Sequence, residues 1–153
     1  MMMKKKLFEA WLAAFYCTLL IGCKTVSNGQ ASSSAVVKTT ELIRTSQSWD
    51  GAKLPDYPQG RPELVAVRYE FPPGQKLGWH HHVVMNYGVV VQGELTIIGL
   101  DGKEKTVHEG EAVVEMVGTV HHGENRGKKT VILDMFYISQ PGLPLAVQDK
   151  IDN

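Results

Sequence analysis

From residue 38 onward, the chain repeats one pattern, in which short runs of apolar residues are separated by turn residues at short, regular spacing. The clearest run is ELVAVRYEF, where every second residue from Val65 to Phe71 is a large apolar one. Alternation with a period of two predicts a β-strand with one buried face. Asp101-Gly102 lies between two further runs and is typical of a hairpin turn. We count roughly eight to ten such runs and no long amphipathic helix, which predicts an all-β fold, a small jelly-roll barrel in a single domain.

The composition gives approximate limits for this barrel, which we place at residues 38–145. KTTELIRTSQSW (38–49) is predicted to be a strand. Residues 50–62 contain three prolines and two glycines and are predicted to be a loop. Gly93 is expected in a tight turn between two paired strands, and residues 146–153 are expected to be a tail.

The N-terminal segment has the composition of an export signal. It joins a basic start, MMMKKK, to an apolar run of about 15 residues, shorter than the roughly 20 that a membrane span needs. The run ends in LIGC (Leu20 to Cys23), which resembles the lipobox of bacterial lipoproteins. The alternative is a plain secretory signal that happens to contain a cysteine. The resemblance implies a signal peptide over residues 1–22, lipidation of Cys23, and a Ser-rich flexible tether over residues 23–37. We then expect the protein in the bacterial cell envelope, held by its lipid in the outer membrane and facing the periplasm.

The charge of the chain bears on which partners it can bind, and its cysteine content bears on what stabilises its fold. The 16 basic and 16 acidic residues give a formal net charge of zero, so the chain has no positive field with which to hold nucleic acid. After cleavage at Cys23, the lipidated cysteine would be the only one left. The barrel would then have no disulfide, and would depend on its apolar core or on a metal.

Five of the six histidines fall in two clusters, HHH at 80–82 and HH at 121–122. Residues two apart share a face of a strand, so His80 and His82 point the same way and His81 points away from them. Two imidazoles on one face bind one cation when a third ligand comes from another strand, and His121 is the candidate. For His81 and His122 we expect a solvent-facing or supporting role, and for His108 a turn position without a role in the site.

The first cluster matches a known motif, because the chain resembles the cupins. The first cupin motif is G-x(5)-H-x-H-x(3,4)-E-x(6)-G, and it is matched here by Gly74, His80, His82, Asn86 and Gly93. Asn86 replaces the motif glutamate, and it offers a weaker ligand or none. The alternative for Asn86 is a structural residue that bonds backbone inside the barrel.

The second cluster matches the second cupin motif, G-x(5)-P-x-G-x(2)-H-x(3)-N. It is matched by Gly110, Met116, Gly118, His121 and Asn125, and Met116 replaces the motif proline. The resemblance implies a jelly-roll barrel with one divalent transition metal on His80, His82 and His121. We favour Fe(II), with Zn, Mn or Ni as alternatives.

The function that the resemblance implies is action on a small organic molecule at this metal. Three-histidine cupins include thiol dioxygenases, so dioxygenase-like oxidation is the leading prediction. The alternative is a lipid-tethered cupin that binds a metal or a small ligand without turnover. The predicted substrate pocket contains Met116, Asn125 and Tyr69. Glu115 is expected at an exposed edge, with a rim carboxylate as the alternative, and the resemblance implies a homodimer.

Overall fold

The computed structural model describes residues 36–151, and these residues form nine strands that make two antiparallel sheets. The strands are β1 (Glu63–Phe71), β2 (His80–His82), β3 (Met85–Gln92), β4 (Glu94–Gly99), β5 (Glu104–His108), β6 (Ala112–Val114), β7 (His121–Glu124), β8 (Val131–Ser139) and β9 (Ala146–Gln148). One sheet has the order β1-β8-β3-β6, and the other has the order β5-β4-β7-β2-β9. The prediction of an all-β jelly-roll barrel with eight to ten strands is therefore confirmed.

The alternation read from the sequence sets the faces of the first sheet. In β1, Val65, Val67 and Tyr69 are half-buried and Phe71 is buried, while the residues between them are exposed. β8 pairs with β1 along its whole length and alternates strictly between buried and half-buried residues. The buried face of this sheet therefore lies toward the barrel interior, as a period of two requires.

The interior is closed by apolar side chains from both sheets. Its buried members are Phe71, Val84, Val90, Leu95, Ile97, Val107, Val113, Val131, Leu133, Met135 and Tyr137. Each such side chain stabilises the fold by roughly 1.5–3 kcal/mol relative to an exposed position. Five of these side chains, Phe71, Leu95, Leu133, Met135 and Tyr137, also line the cavity into which His80 and His82 point.

Two predicted turns differ in their outcome. Gly102 has a φ of +80° in the turn between β4 and β5, which pair as the Asp-Gly hairpin predicts. Gly93 has a φ of +82° between β3 and β4, but these two strands lie in different sheets. Gly93 is therefore a corner at which the chain passes from one sheet to the other, and the prediction that it joins paired strands was wrong.

Two predicted segments are also corrected. Residues 38–49 do not form a strand: they are mostly exposed and include only one isolated bridge, from Gln47 to Lys53. The predicted tail, residues 146–153, contains β9, which pairs with β2 across His80, His81 and His82. The predicted signal peptide and all but the last two residues of the tether lie outside the described residues. Within residues 36–151 there is no helix long and apolar enough to cross a membrane.

Candidate metal centre

Two neighbouring strands carry the three histidines into the barrel. β2 is only three residues long, and its central residue, His81, is more exposed than His80 and His82, which are 5% and 3% exposed. β7 begins at His121, which is 0% exposed and lies directly opposite His80 in the register of the two strands. Backbone pairing and period two together thus place the three rings on one inner surface, as the sequence predicts.

The three imidazoles are close enough to share one ion. One ring nitrogen from each histidine lies within 4.8 Å of the nitrogens offered by the other two. The ring centroids are separated by 5.1 Å for His80 and His82, 4.7 Å for His80 and His121, and 5.2 Å for His82 and His121. The structure therefore brings together all three histidines that the sequence proposes as ligands.

Hydrogen bonds to the backbone fix which nitrogen of each ring is available. Nδ1 of His80, of His82 and of His121 each contacts a main-chain carbonyl oxygen at 2.8–2.9 Å. The acceptors are the carbonyl oxygens of Gly78, Leu145 and Thr119, respectively. A carbonyl oxygen only accepts, so each Nδ1 carries the proton and each Nε2 remains as the ligand atom. Partners of this kind orient metal-binding histidines and raise their basicity.

Glu115 is a residue of the site whose environment differs from the predicted one. It follows directly after β6 and is 7% exposed, whereas an exposed edge was expected. Its Oε2 lies 2.8 Å from Nε2 of His82 and 3.8 Å from Nε2 of His121. The atom of His82 that would bind a metal is therefore the one in contact with Glu115. A charged residue inside the apolar run AVVEMV was the signal, because a buried charge requires a partner.

This carboxylate dominates the electrostatics of the cluster. Burial raises the pKa of Glu115, but the close imidazoles of His121 and His82 outweigh burial and hold that pKa well below its usual range. Burial lowers the pKa of His121, but the nearby carboxylate of Glu115 outweighs burial, so the pKa of His121 is raised. Burial also lowers the pKa of His80, and the hydrogen bond to the carbonyl of Gly78 offsets this only in part, so the pKa of His80 stays lowered. Glu115 thus remains a carboxylate anion beside the imidazoles of His82 and His121.

A small cavity opens from the histidines into the barrel. The volume of this cavity is about 20 Å³, and apolar side chains form much of its wall. Two polar side chains face it from the opposite sheet: the hydroxyl groups of Tyr69 and Tyr137 lie 3.1 Å apart. Burial, followed by the hydrogen bond from Tyr69, raises the pKa of Tyr137. Tyr137 therefore keeps its proton at neutral pH, and the two hydroxyl groups present hydrogen-bonding groups to a ligand.

The predicted pocket residues have different positions. Tyr69 lines the cavity. Met116 is buried but is not part of the cavity wall, so its predicted place in the pocket is not supported. Asn125 is also outside the wall: its Nδ2 donates to the carbonyls of Phe71 and Lys129, and its Oδ1 accepts from the amide of Gly127. The side chain of Asn125 is thus fully used in holding a loop.

Asn86, at the position of the motif glutamate, is buried beside this site and not in its wall. It lies opposite Tyr137 in the register of β3 and β8. Its Nδ2 is 3.5 Å from the carbonyl oxygen of Val84, and its Oδ1 has no hydrogen-bond partner within residues 36–151. This placement favours the structural alternative for Asn86 over a ligand role.

The remaining histidines have partners outside the cluster. Nδ1 of His81 is 2.8 Å from Oδ2 of Asp149, just after β9. His122 is buried, and the ring of Trp79 packs edge-on against it at 4.2 Å, so of the two expected roles, solvent-facing or supporting, only the supporting one agrees with its burial. His108 is exposed at the end of β5 and pairs with Glu94.

The antiparallel barrel and its three inward histidines are the features of a class of proteins, the β-barrels that bind a metal ion. Comparison with known families makes this specific: a family model described as "Cupin domain" matches residues 67–137. Over these residues the chain is similar to the cupins, in agreement with the resemblance of its two motifs. Its histidine cluster fits one divalent metal ion.

Individual relatives resemble parts of the chain. Oryzines biosynthesis cluster protein J of Aspergillus oryzae is 32% identical over 90 residues, which is 58% of this chain and 49% of that protein. The chain thus spans about half the length of this curated relative. A conserved double-stranded β-helix protein from Klebsiella pneumoniae has a TM-score of 0.50 and 22% identity, covering 57% of this chain and 76% of that one. An oxalate oxidase in complex with the substrate analogue glycolate has a TM-score of 0.47 and 27% identity, covering 54% and 45%. The Klebsiella structure supports the fold alone.

Proposed function

We propose that this cupin binds one divalent transition metal through Nε2 of His80, His82 and His121, and that it oxidises a small organic molecule in a dioxygenase-like reaction. The observation that carries the proposal is the orientation of the three rings. Each Nδ1 is held by a backbone carbonyl, so three Nε2 atoms converge in a buried site. Fe(II) is the metal that we favour, and Zn, Mn and Ni are the alternatives.

The residues fit such an ion by two independent criteria. Nε2 of His121 is fully buried and has no hydrogen-bond partner within the described part of the chain, a costly state that a metal ligand bond would relieve. Neutral imidazoles suit Fe, Zn, Cu and Ni, and three protein ligands leave positions open for water or substrate.

The bound metal would supply Lewis acidity and the capacity to handle O₂, while the chain supplies the surroundings. A dioxygenase places both atoms of O₂ in its product, so the organic substrate provides the electrons. The apolar wall of the cavity keeps bulk water from the reacting atoms. The hydroxyl pair of Tyr69 and Tyr137 offers a hydrogen bond to an oxygen atom of the substrate.

The first test is the metal content of the full chain, purified without a histidine tag and titrated with Fe(II), Zn(II), Mn(II) and Ni(II). We expect one tightly held ion per chain, which is lost in His82→Ala. His81→Ala is the matched control, because His81 is in the same short strand but pairs with Asp149 outside the site. Equal binding by wild type and His82→Ala, or no binding by wild type, would refute the metal site.

The second test is oxygen uptake by the Fe(II)-loaded protein with a panel of small organic acids, thiols and diketones. Uptake that requires substrate and is absent in His82→Ala supports the dioxygenase-like reaction. A metal-loaded protein that takes up no oxygen with any of them favours a second candidate, a metal-binding module without turnover. The small volume of the cavity, about 20 Å³, favours this second candidate, because it holds a ligand the size of water more readily than an organic substrate.

We also propose that Cys23 is lipidated and tethers the barrel to the cell envelope. The LIGC sequence at the end of the apolar run supports this. Incorporation of a labelled fatty acid into the wild-type protein, but not into Cys23→Ser, would be the expected result.

A further inference from the structure

Glu115 is the only carboxylate among the buried residues of the described chain. Its contacts are with the metal-site histidines and with no basic residue: Oε2 is 2.8 Å from Nε2 of His82 and 3.8 Å from Nε2 of His121. It also lines the cavity that these histidines share. A buried charge of this kind is stable only beside a compensating positive charge.

The motif position that normally supplies a carboxylate does not do so here. Asn86 is neutral, and it is absent from the wall of the cavity. The site nevertheless contains a carboxylate, and it comes from the segment after β6, five residues after Gly110 of the second motif. The two observations are complementary, because the charge lost at one position is present at another.

We propose that Glu115 is the carboxylate ligand of the metal in this protein, in place of the residue at position 86. This inference rests on the proposed metal-binding function. A divalent ion on three neutral imidazoles carries a charge of +2 into a buried site, and Glu115 lowers that charge to +1.

The reason is what metal binding does to the contact between Glu115 and His82. An ion bound to Nε2 of His82 takes the place of the hydrogen bond between this nitrogen and Oε2 of Glu115, which lie 2.8 Å apart. Oε2 of Glu115 then loses its hydrogen bond while the carboxylate remains buried. The metal is the cation within reach of this oxygen, so it supplies the positive charge that a buried carboxylate needs.

The test is the Zn(II) affinity of the full chain, measured by competition with a chromophoric chelator, for wild type and Glu115→Gln. Glutamine keeps the size and hydrogen-bonding capacity of the side chain and removes its charge. We expect a loss of affinity of tenfold or more. Glu94→Gln is the matched control, since Glu94 also pairs with a histidine at 2.8 Å but at an exposed position, and we expect its affinity to be unchanged. A loss below tenfold in Glu115→Gln would overturn the proposal.

Affinity alone does not separate a ligand from a residue that only orients His82, because loss of an orienting partner also weakens binding by roughly 10–100-fold. A crystal structure of the Zn(II)-loaded wild type makes this distinction and does not depend on the folding of a variant. A carboxylate oxygen of Glu115 at about 2.0–2.2 Å from the ion is the expected result. A Glu115 that remains outside the coordination sphere overturns this inference and leaves the three-histidine site intact. A wild type that binds no Zn(II), Fe(II), Mn(II) or Ni(II) overturns both.

Discussion

Nδ1 of His82 donates a hydrogen bond of 2.9 Å to the carbonyl oxygen of Leu145, the residue that immediately precedes β9. The orientation of a site histidine therefore depends on a segment 63 residues away in sequence. β9 pairs with β2 through the three histidines, and the amide of Asp149 donates to the carbonyl oxygen of Trp79. The last strand thus holds β2 in place along its whole length.

Removal of residues 146–153 should weaken metal binding. β2 has only one paired residue with β7, so without β9 it loses most of its pairing and His82 loses the support of its orientation. Leu145 remains in this variant but becomes the chain end, so β9 no longer holds its carbonyl oxygen against His82. We expect Zn(II) affinity to fall about 10–100-fold, as when the partner of a metal ligand is disturbed. Removal of residues 151–153 alone is the control, and it should leave affinity unchanged. Equal affinities of the two truncated proteins would contradict the role of β9.

The stability of the metal-free protein should depend on Glu115 in a limited pH range. The lowered pKa of Glu115 stabilises the fold above the ordinary value of 4.5, and this contribution is lost as the pH falls toward the folded pKa. The raised pKa of His121 stabilises the fold below the ordinary value of 6.5, and this contribution is lost as the pH rises through the folded pKa. The difference in free energy of unfolding between wild type and Glu115→Gln should therefore be greatest between pH 4.5 and 6.5.

Urea denaturation in the presence of a chelator, at intervals from about pH 4 to pH 8, measures this difference. Glu94→Gln again serves as the control, because an exposed pair contributes about 0–1 kcal/mol. A difference for Glu115→Gln that stays constant across the range would show that the ion pair does not form.

The hydrogen bond between the hydroxyl groups of Tyr69 and Tyr137 should be measurable as a coupling energy between two substitutions. Tyr69→Phe leaves the buried hydroxyl of Tyr137 without its partner, and we expect a loss of about 1–3 kcal/mol in the free energy of unfolding. Tyr137→Phe should have a similar cost, and the double variant should cost less than the sum of the two. Tyr87→Phe is the control: Tyr87 is exposed on the outside of the same sheet, and its change should stay within about 0.5 kcal/mol. Additive single changes would mean that the two hydroxyls do not interact.

Two buried glycines in strands should differ in their tolerance of a methyl group. A Cβ at Gly88 would overlap Sδ of Met135 and lie 2.9 Å from the backbone oxygen of Asp134, so Gly88→Ala forces a shift in β8. We expect a loss of about 1–3 kcal/mol, the usual cost of overpacking. A Cβ at Gly123 would meet Leu95 at 3.5 Å, an ordinary contact, so Gly123→Ala should be nearly neutral. Thermal unfolding of both variants tests this, and equal melting temperatures would contradict it.

The sequence predicts those features that repeat or that lie close together along the chain. The strict alternation of β1 and the Asp-Gly turn were read correctly, because a period of two and a two-residue hairpin are local properties. His80 and His82 share a face for the same reason. The approach of His121 from another strand came from the cupin resemblance and from its position at the start of a strand-like stretch.

The errors concern features that depend on contacts distant in sequence. Residues 38–49 have the composition of a strand but find no continuous partner, so composition alone was misleading. β9 has only three residues, and its existence depends on pairing with β2. The segment from Val113 to Met116 is buried at every position, so the alternation of a strand does not predict which way the side chain of Glu115 points. Its burial follows from its position beside His82.

The position of β9 in the sequence also determines when, during synthesis of the chain, the metal site can form. It is the last strand of the barrel in sequence, and it lies at the edge of its sheet, next to the strand that carries two of the three histidines. A polypeptide emerging from a ribosome or a translocation pore exposes His80 and His82 long before it exposes Leu145. An early encounter with a metal ion therefore finds imidazoles whose rings are still free to rotate, and the tight site arises only after the segment from Leu145 to β9 has been synthesised and has paired with β2.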